Sequence, residues 1–407
     1  MRRKLLFVAE GVSLAHVARP TVLASAVDPH AYDVAFASNG KFPVCPPRPE
    51  WEFHPIESVD PATFLDRLAY GKPVYTEAEL TAYIDADVAL LQRTKPDCVI
   101  GDFRLSLTIA ARLLRVPLMS LCNAHWSPYA TPTRMFAPDI PIARLLSFGI
   151  FDRIFRLAWP VASKSHCAAI NRIRKKHGMP PYSSLLEYYC DGDMSLYADI
   201  PSLVPTSGAP ATHQYLGPIV WSPAMDKPAW WDESLRTAEP RVYITLGSTG
   251  SVDLLPAIVD ACLAEGFACV VATAGRRAFN PNHPKVWAAS YLPGVEAAQA
   301  TSLVICNGGS ATAFQALAVG TPVLGICSNL DQVLTMTRIR DAGAGTFLRA
   351  GETTPGKLRA ALREILATQS YKLRAIALQR EMADYTPTQR LPLLLRRMLG
   401  RHPSPAN

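Results

Sequence analysis

The stretch LVICNGGSATAFQALAVGTPVLGI, residues 303–326, changes its hydrophobic period twice. Leu303 to Cys306 is apolar without alternation, as in a strand buried on both faces. Asn307-Gly308-Gly309 interrupts it, Ala311 to Val319 follows at helical spacing, and Gly320 stops that helix before a second apolar run, Val323 to Ile326. A strand, a short glycine turn, a helix and another strand make a parallel unit, because parallel neighbours need a crossover.

The same unit recurs outward from this stretch. Upstream lie strand Arg241–Leu246, helix Leu254–Ala264 and strand Ala268–Thr273. The N-terminal half offers strand Leu5–Ala9, helix Ala15–Val27 and strand Val34–Ala37, then strand Cys98–Gly101, helix Leu105–Leu114 and strand Val116–Leu121. At 407 residues the chain is long enough for two cores. The pattern predicts an α/β protein of two Rossmann-like domains with parallel sheets. A proline-rich, aperiodic stretch from Pro201 to Pro240 places the boundary. The expected units are an N-terminal domain 1–215, a linker 216–240, a C-terminal domain 241–385, and a helix and tail 386–407 that could reach back to the first domain.

Composition narrows the class. Hydrophobic residues make up 49% and charged residues 18%, as in packed globular proteins. No apolar run is long enough to span a bilayer, and Met1-Arg2-Arg3-Lys4 leads into only a short apolar run, read as a first strand rather than a signal peptide. The expected location is cytoplasmic. Nine cysteines without a CxxC pair read as reduced core residues. The net charge of +7 is compatible with nucleic acid, an anionic membrane surface or an acidic substrate. The basic run Arg172 to His177 lacks aromatic interleaving and reads as a solvated helix end, so no nucleic-acid partner is expected. Ile140 to Ala162 spaces Leu145, Leu146, Ile150, Ile154 and Leu157 helically, with Arg144, Arg153 and Arg156 between them. A core-facing helix is the plain expectation; the alternatives are a wall of a hydrophobic acceptor pocket or a surface touching the inner face of a membrane.

Ligands of open α/β sheets bind beyond the carboxyl ends of the strands. Three loops of the second half sit there: Leu246–Ser251, rich in glycine and hydroxyls; Asn307–Thr312, a nest of backbone donors at a helix start; and Asn329-Leu330-Asp331-Gln332, offering a carboxylate and an amide. A diphosphate fits the second without a metal. The third is equally readable as ordinary helix capping.

Their order resembles the nucleotide-sugar glycosyltransferases that include plant UDP-glycosyltransferases and bacterial macrolide and rhamnolipid glycosyltransferases. The likeness is densest from Tyr291 to Leu348, through YLPG, NGGSATAFQALAVGTPVLGI, DQ and DAGAG, with YLGPIVW at 215–221 and INRIRKKHGMPP at 170–181 as further support. The resemblance implies the GT-B fold, its two sheets facing a central cleft. It implies that Ser248 and Thr249 touch the donor phosphates, that Gly308, Gly309, Ser310 and Thr312 form the pyrophosphate nest, that Tyr291 stacks on the base, and that Asp331 and Gln332 hold the sugar. Where the family has His-Gly-Gly and Glu-Ala-Leu, this chain has Asn307 and Gln315, which keep hydrogen bonding to phosphate and ribose but lose charge. The family's general base and its carboxylate partner fall on His16, after the first strand, and Asp102, ending the run from Cys98.

Asp191-Gly192-Asp193 has the form used by metal-dependent transferases of another fold, yet reads as a turn far from the donor loops. His30, His54 and His125 lack zinc spacing, so neither metal nor cofactor is expected beyond the nucleotide-sugar co-substrate. The expected activity is inverting, metal-independent transfer of a hexose from a UDP- or dTDP-sugar to a hydroxyl of a hydrophobic small molecule or lipid. A nucleotide-sugar epimerase or hydrolase of the same fold, and a noncatalytic transferase-like partner protein, are the competing readings.

Overall fold

The computed structural model describes residues 2–401; Met1 and residues 402–407, the end of the expected C-terminal tail, lie outside it. In the N-terminal half the strands are β1 (Arg3–Ala9), β2 (Tyr32–Ser38), β3 (Glu52–Pro55), β4 (Cys98–Asp102), β5 (Leu118–Cys122), β6 (Met194–Tyr197) and β7 (His213–Tyr215). They form one parallel sheet in the order β3-β2-β1-β4-β5-β6-β7. The C-terminal half contributes β8 (Arg241–Thr245), β9 (Ala268–Ala272), β10 (Val286–Ala289), β11 (Leu303–Cys306), β12 (Val323–Cys327) and β13 (Gly345–Arg349). Their order is β10-β9-β8-β11-β12-β13, again all parallel.

Both sheets turn back on themselves at their first strand. β1 lies between β2 and β4, and β8 between β9 and β11, so each sheet has a switch point where successive loops part and leave a crevice. The expected runs appear as β1, β2, β4, β5, β8, β9, β11 and β12, whose interiors are nearly all buried. β3, β7 and β13 carry no comparable apolar run, and β10, although its four residues Val286-Trp287-Ala288-Ala289 are apolar, buries only Val286. All four are short strands at sheet edges and remain partly exposed, unlike a parallel strand buried on both faces.

The helix Pro387–Arg401 leaves the second sheet and packs Leu391, Leu394, Leu395, Met398 and Leu399 into the core beneath β1, with Leu23 of the helix Leu14–Ser25. One correction concerns residues 140–162. They form a short helix Pro141–Leu145 and a longer one, Phe148–His166, but Leu145, Leu146, Ile150, Ile154 and Leu157 face solvent. The core-facing expectation fails there because the buried stripe of the longer helix runs instead through Phe151, Asp152 and Ser163.

A buried ion cluster fixes the loop after β4. Arg104 donates from Nη1 to Glu10 Oε2 at 2.9 Å and from Nη2 to Asp87 Oδ1 at 3.0 Å, and its guanidinium lies 3.7 Å from the centre of the Tyr83 ring. Solvent reaches none of the three charged side chains. Glu10 directly follows β1 and Asp87 belongs to the helix Glu77–Thr94, so one guanidinium joins three parts of the chain. Removing it leaves two buried carboxylates uncompensated. Arg104→Met should therefore cost about 3–5 kcal/mol in guanidinium chloride unfolding; a loss below about 1 kcal/mol would show that the cluster does not hold this loop.

Candidate active site

β1 and β4 are neighbours, with Ala9 opposite Asp102, so the loop after β1 and the end of β4 meet at one sheet edge. The helix Leu14–Ser25 starts from that loop and brings His16 back over Asp102. His16 Nδ1 lies 2.8 Å from Asp102 Oδ1. Arg19, one turn along the same helix, also binds this carboxylate, from Nε to Oδ2 at 2.8 Å and from Nη2 to Oδ1 at 2.6 Å. Burial would raise the Asp102 carboxyl, but the charges and hydrogen bonds of Arg19 and His16 outweigh it and hold the group below its ordinary value. An ionised carboxylate only accepts hydrogen bonds, so Nδ1 of the neutral imidazole carries the proton and Nε2 keeps its lone pair.

Phe103 follows Asp102 with φ of 56°, in the left-handed region that a bulky residue rarely occupies. The strain has a visible result. The Phe103 ring stacks on the imidazole of His16, with centroids 4.6 Å apart and planes 10° from parallel.

In the second sheet β8, β11 and β12 are adjacent, and their three loops converge side by side. Thr249 Oγ1 accepts from Asn307 Nδ2 at 2.9 Å and from Gln332 Nε2 at 3.1 Å. With both lone pairs engaged, its own O–H remains available as a donor toward an anion. Asn307 Oδ1 also accepts from Gly309 N at 3.1 Å, so the residue at the family's histidine position ties two loops together. Gly308 has φ of 81°, and a Cβ there would lie 2.6 Å from Cys327 Sγ, so both backbone and space require glycine. Gln332 completes a capping box with Asn329 at the start of the helix Leu330–Asp341.

A cavity of about 500 Å³ lies between the two sheet edges. His16, Ser248, Thr249, Asn307 and Gly309 line it, as do Ser310, Thr312, Gln315, Asp331 and Gln332. Asp102 stands behind His16, and Gly308 is packed beneath its loop. Tyr291 lies apart from the cavity wall, its hydroxyl donating to Ala274 O at 3.1 Å and its ring against Gly275. The side-chain amide of Gln315 donates to the carbonyl of Trp221 in the linker. Asp191 is occupied by Arg112 and Tyr182, and Asp193 accepts from Leu118 N at 2.9 Å, so the Asp-Gly-Asp segment is a structural turn.

Two residues at this site, Asn123 and Trp126, have no counterpart in the sequence reading, and His125 entered it only as a rejected zinc ligand. Asn123, His125 and Trp126 follow β5 at the same sheet edge. His125 Nε2 lies 3.1 Å from Asp331 Oδ1, and Trp126 Nε1 donates to the same oxygen at 2.7 Å, joining the two halves of the chain. Although burial alone would raise it, His125 and Trp126 hold the Asp331 carboxyl down at about 2. About half of that side chain's surface stays open, so it can still meet a ligand in the cleft. Arg19 Nη1 donates to Asn123 Oδ1 at 2.9 Å, and Ser310 Oγ reaches the same oxygen at 3.3 Å. A polar chain thus runs from His16 to Ser310, at the start of the helix Ser310–Ala318. The position of Arg19, three residues after His16 on one helical face, was the available clue to part of it.

Residues 268–394 match the family model described as Erythromycin biosynthesis protein CIII-like, C-terminal domain. A PGL/p-HBAD biosynthesis rhamnosyltransferase of Mycobacterium bovis (strain BCG / Pasteur 1173P2) is 39% identical over 379 residues, spanning 93% of this chain and 84% of that protein. A PGL/p-HBAD biosynthesis glycosyltransferase of Mycobacterium tuberculosis (strain ATCC 25177 / H37Ra) is 40% identical over 373 residues, 91% and 86% of the respective lengths. The solved structure of the spinosyn rhamnosyltransferase complexed with thymidine diphosphate superposes with a TM-score of 0.67 at 18% identity, covering 97% of this chain and 100% of that one. Two sheets meeting at their switch points give the GT-B architecture, and identity of this extent over nine-tenths of the sequence gives the kinship: the chain belongs to the glycosyltransferase family that contains the PGL/p-HBAD biosynthesis enzymes.

Proposed function

We propose that this glycosyltransferase moves a hexose from a nucleoside-diphosphate donor to a hydroxyl of a hydrophobic small-molecule or lipid acceptor, with inversion and without a metal. The observation that carries the reading is the imidazole of His16, fixed by the ionised Asp102 with Nε2 free, at the edge of a cavity shared with three donor-type loops. The thymidine diphosphate of the structural neighbour favours dTDP over UDP, and the relative's name favours rhamnose. Apolar side chains on the N-terminal wall, among them Phe64, Val74, Leu105 and Trp159, suit a hydrophobic acceptor.

In this reading the acceptor oxygen attacks the anomeric carbon as His16 Nε2 takes its proton. The bond from that carbon to the diphosphate oxygen breaks opposite the forming bond, and the nucleoside diphosphate leaves with the electron pair. The hydroxyls of Thr249 and Ser310 and the amides opening the helix Ser310–Ala318 answer the charge that develops there. His16→Ala should lower kcat about 10²- to 10⁴-fold, the usual contribution of a positioned base, while thymidine diphosphate binding measured by calorimetry stays within about twofold. Transfer at the wild-type rate would remove His16 from the role. NMR of the product should show the anomeric configuration opposite to the donor's, and retention would overturn the single-displacement step.

Arg19 supplies a second test. It holds both oxygens of Asp102, and its Nη2 lies 3.1 Å from His16 Nδ1, so it positions the carboxylate that orients the imidazole. Arg19→Met should lower kcat by about tenfold or more while thymidine diphosphate binding stays within about twofold, whereas Arg19→Lys keeps a donor to Asp102 and recovers part of the rate. An unchanged kcat in Arg19→Met would mean that Arg19 acts on the fold alone.

A further inference from the structure

The helix Phe148–His166 has two apolar faces. Phe155, Trp159, Ala162 and His166 turn inward and line the cavity. On the opposite side Ile150, Ile154, Leu157 and Val161 recur at helical spacing and lie open to solvent, Leu157 being 84% and Val161 73% exposed. Leu145 and Leu146, just before this helix, extend the patch. A surface helix of a packed protein ordinarily turns such a stripe inward. A contiguous exposed one marks a contact.

We propose that this outer face docks the enzyme on an anionic bilayer interface and that the acceptor reaches the cavity past the same helix. Charge selects the occupant. Between residues 140 and 166 stand Arg144, Arg153, Arg156 and Lys164 against a single carboxylate, Asp152; Arg144 is paired with Asp139, just before the segment, at 2.8 Å, which leaves three cations. Asp152 is buried and paired with Arg349 at 2.6 Å, so no acid of this segment faces outward. Among the described residues no carboxylate pairs with Arg153 or Lys164, which flank the apolar stripe along one edge of the helix. Apolar side chains at the boundary of headgroups and acyl chains, with cations beside them at the phosphates, are the arrangement of a helix lying in a membrane surface. The helix then forms both the inner wall of the cavity and the membrane-facing rim. Docking stands apart from the transfer reading; only the acceptor's route rests on it.

The test is flotation of the full chain with vesicles of phosphatidylcholine alone and of phosphatidylcholine mixed with phosphatidylglycerol. The parent should float with the mixed vesicles and be released as salt is raised. The exposed pair Ile150→Ser/Leu157→Ser, and separately Arg153→Glu/Lys164→Glu, should each weaken that binding by about tenfold or more while leaving turnover of a water-soluble acceptor unchanged. Failure of the parent to bind the mixed vesicles, or equal binding by parent and variants, overturns the proposal. So does a dimer seen by light scattering that the Ile150→Ser/Leu157→Ser pair dissociates, since a second copy would then be the occupant. Vesicle binding is read without turnover, so a chain that floats but transfers nothing contradicts the transferase reading and leaves docking standing.

Discussion

A carboxylate shut away from water needs its charge answered by the protein, and at Asp102 two residues one helical turn apart supply the answer. Arg19 holds both oxygens and His16 shares one of them. The pair fixes how the helix Leu14–Ser25 sits over the end of β4, and through Asn123 it touches the start of the helix Ser310–Ala318. The orientation of the His16 ring, helix placement and part of the contact between the two halves therefore hang on one buried ion pair. Such a pair adds little net stability compared with an apolar replacement, and its value lies in geometry.

The cleft closes from both sides by side chains that also face the ligand site. Asp331, a residue of the expected sugar-binding pair, is already gripped by His125 and Trp126 from the opposite sheet. A sugar hydroxyl arriving at Asp331 would meet a carboxylate whose position the acceptor-side domain helps to set. On the proposed role of Asp331, donor recognition and the contact between the two halves are linked through one residue.

Much of this organisation is legible in the sequence wherever burial writes a continuous apolar run. β1, β4, β11 and β12 read directly, and the rule that ligands gather at strand carboxyl ends brings their loops to one place. The edge strand β3 lacks that run because it buries less. His125 and Trp126 escape a search for metal spacing because their partner stands some two hundred residues later in the chain. Arg19 looks like any cation on an amphipathic helix until Asp102 is placed beside it. The stripe around Leu157 was visible as a stripe, but periodicity gives the separation of two faces and not which of them meets water.

Phe103 sets a limit on how this enzyme can be improved. At its φ of 56° glycine or asparagine would relax the backbone, yet neither carries a ring to lie on the imidazole. The substitutions that consensus or stability design would favour at this position are those that free His16. With His16 in its proposed role, stabilisation and turnover are opposed at this one residue, and selection for thermal robustness would have to find its gains elsewhere in the chain.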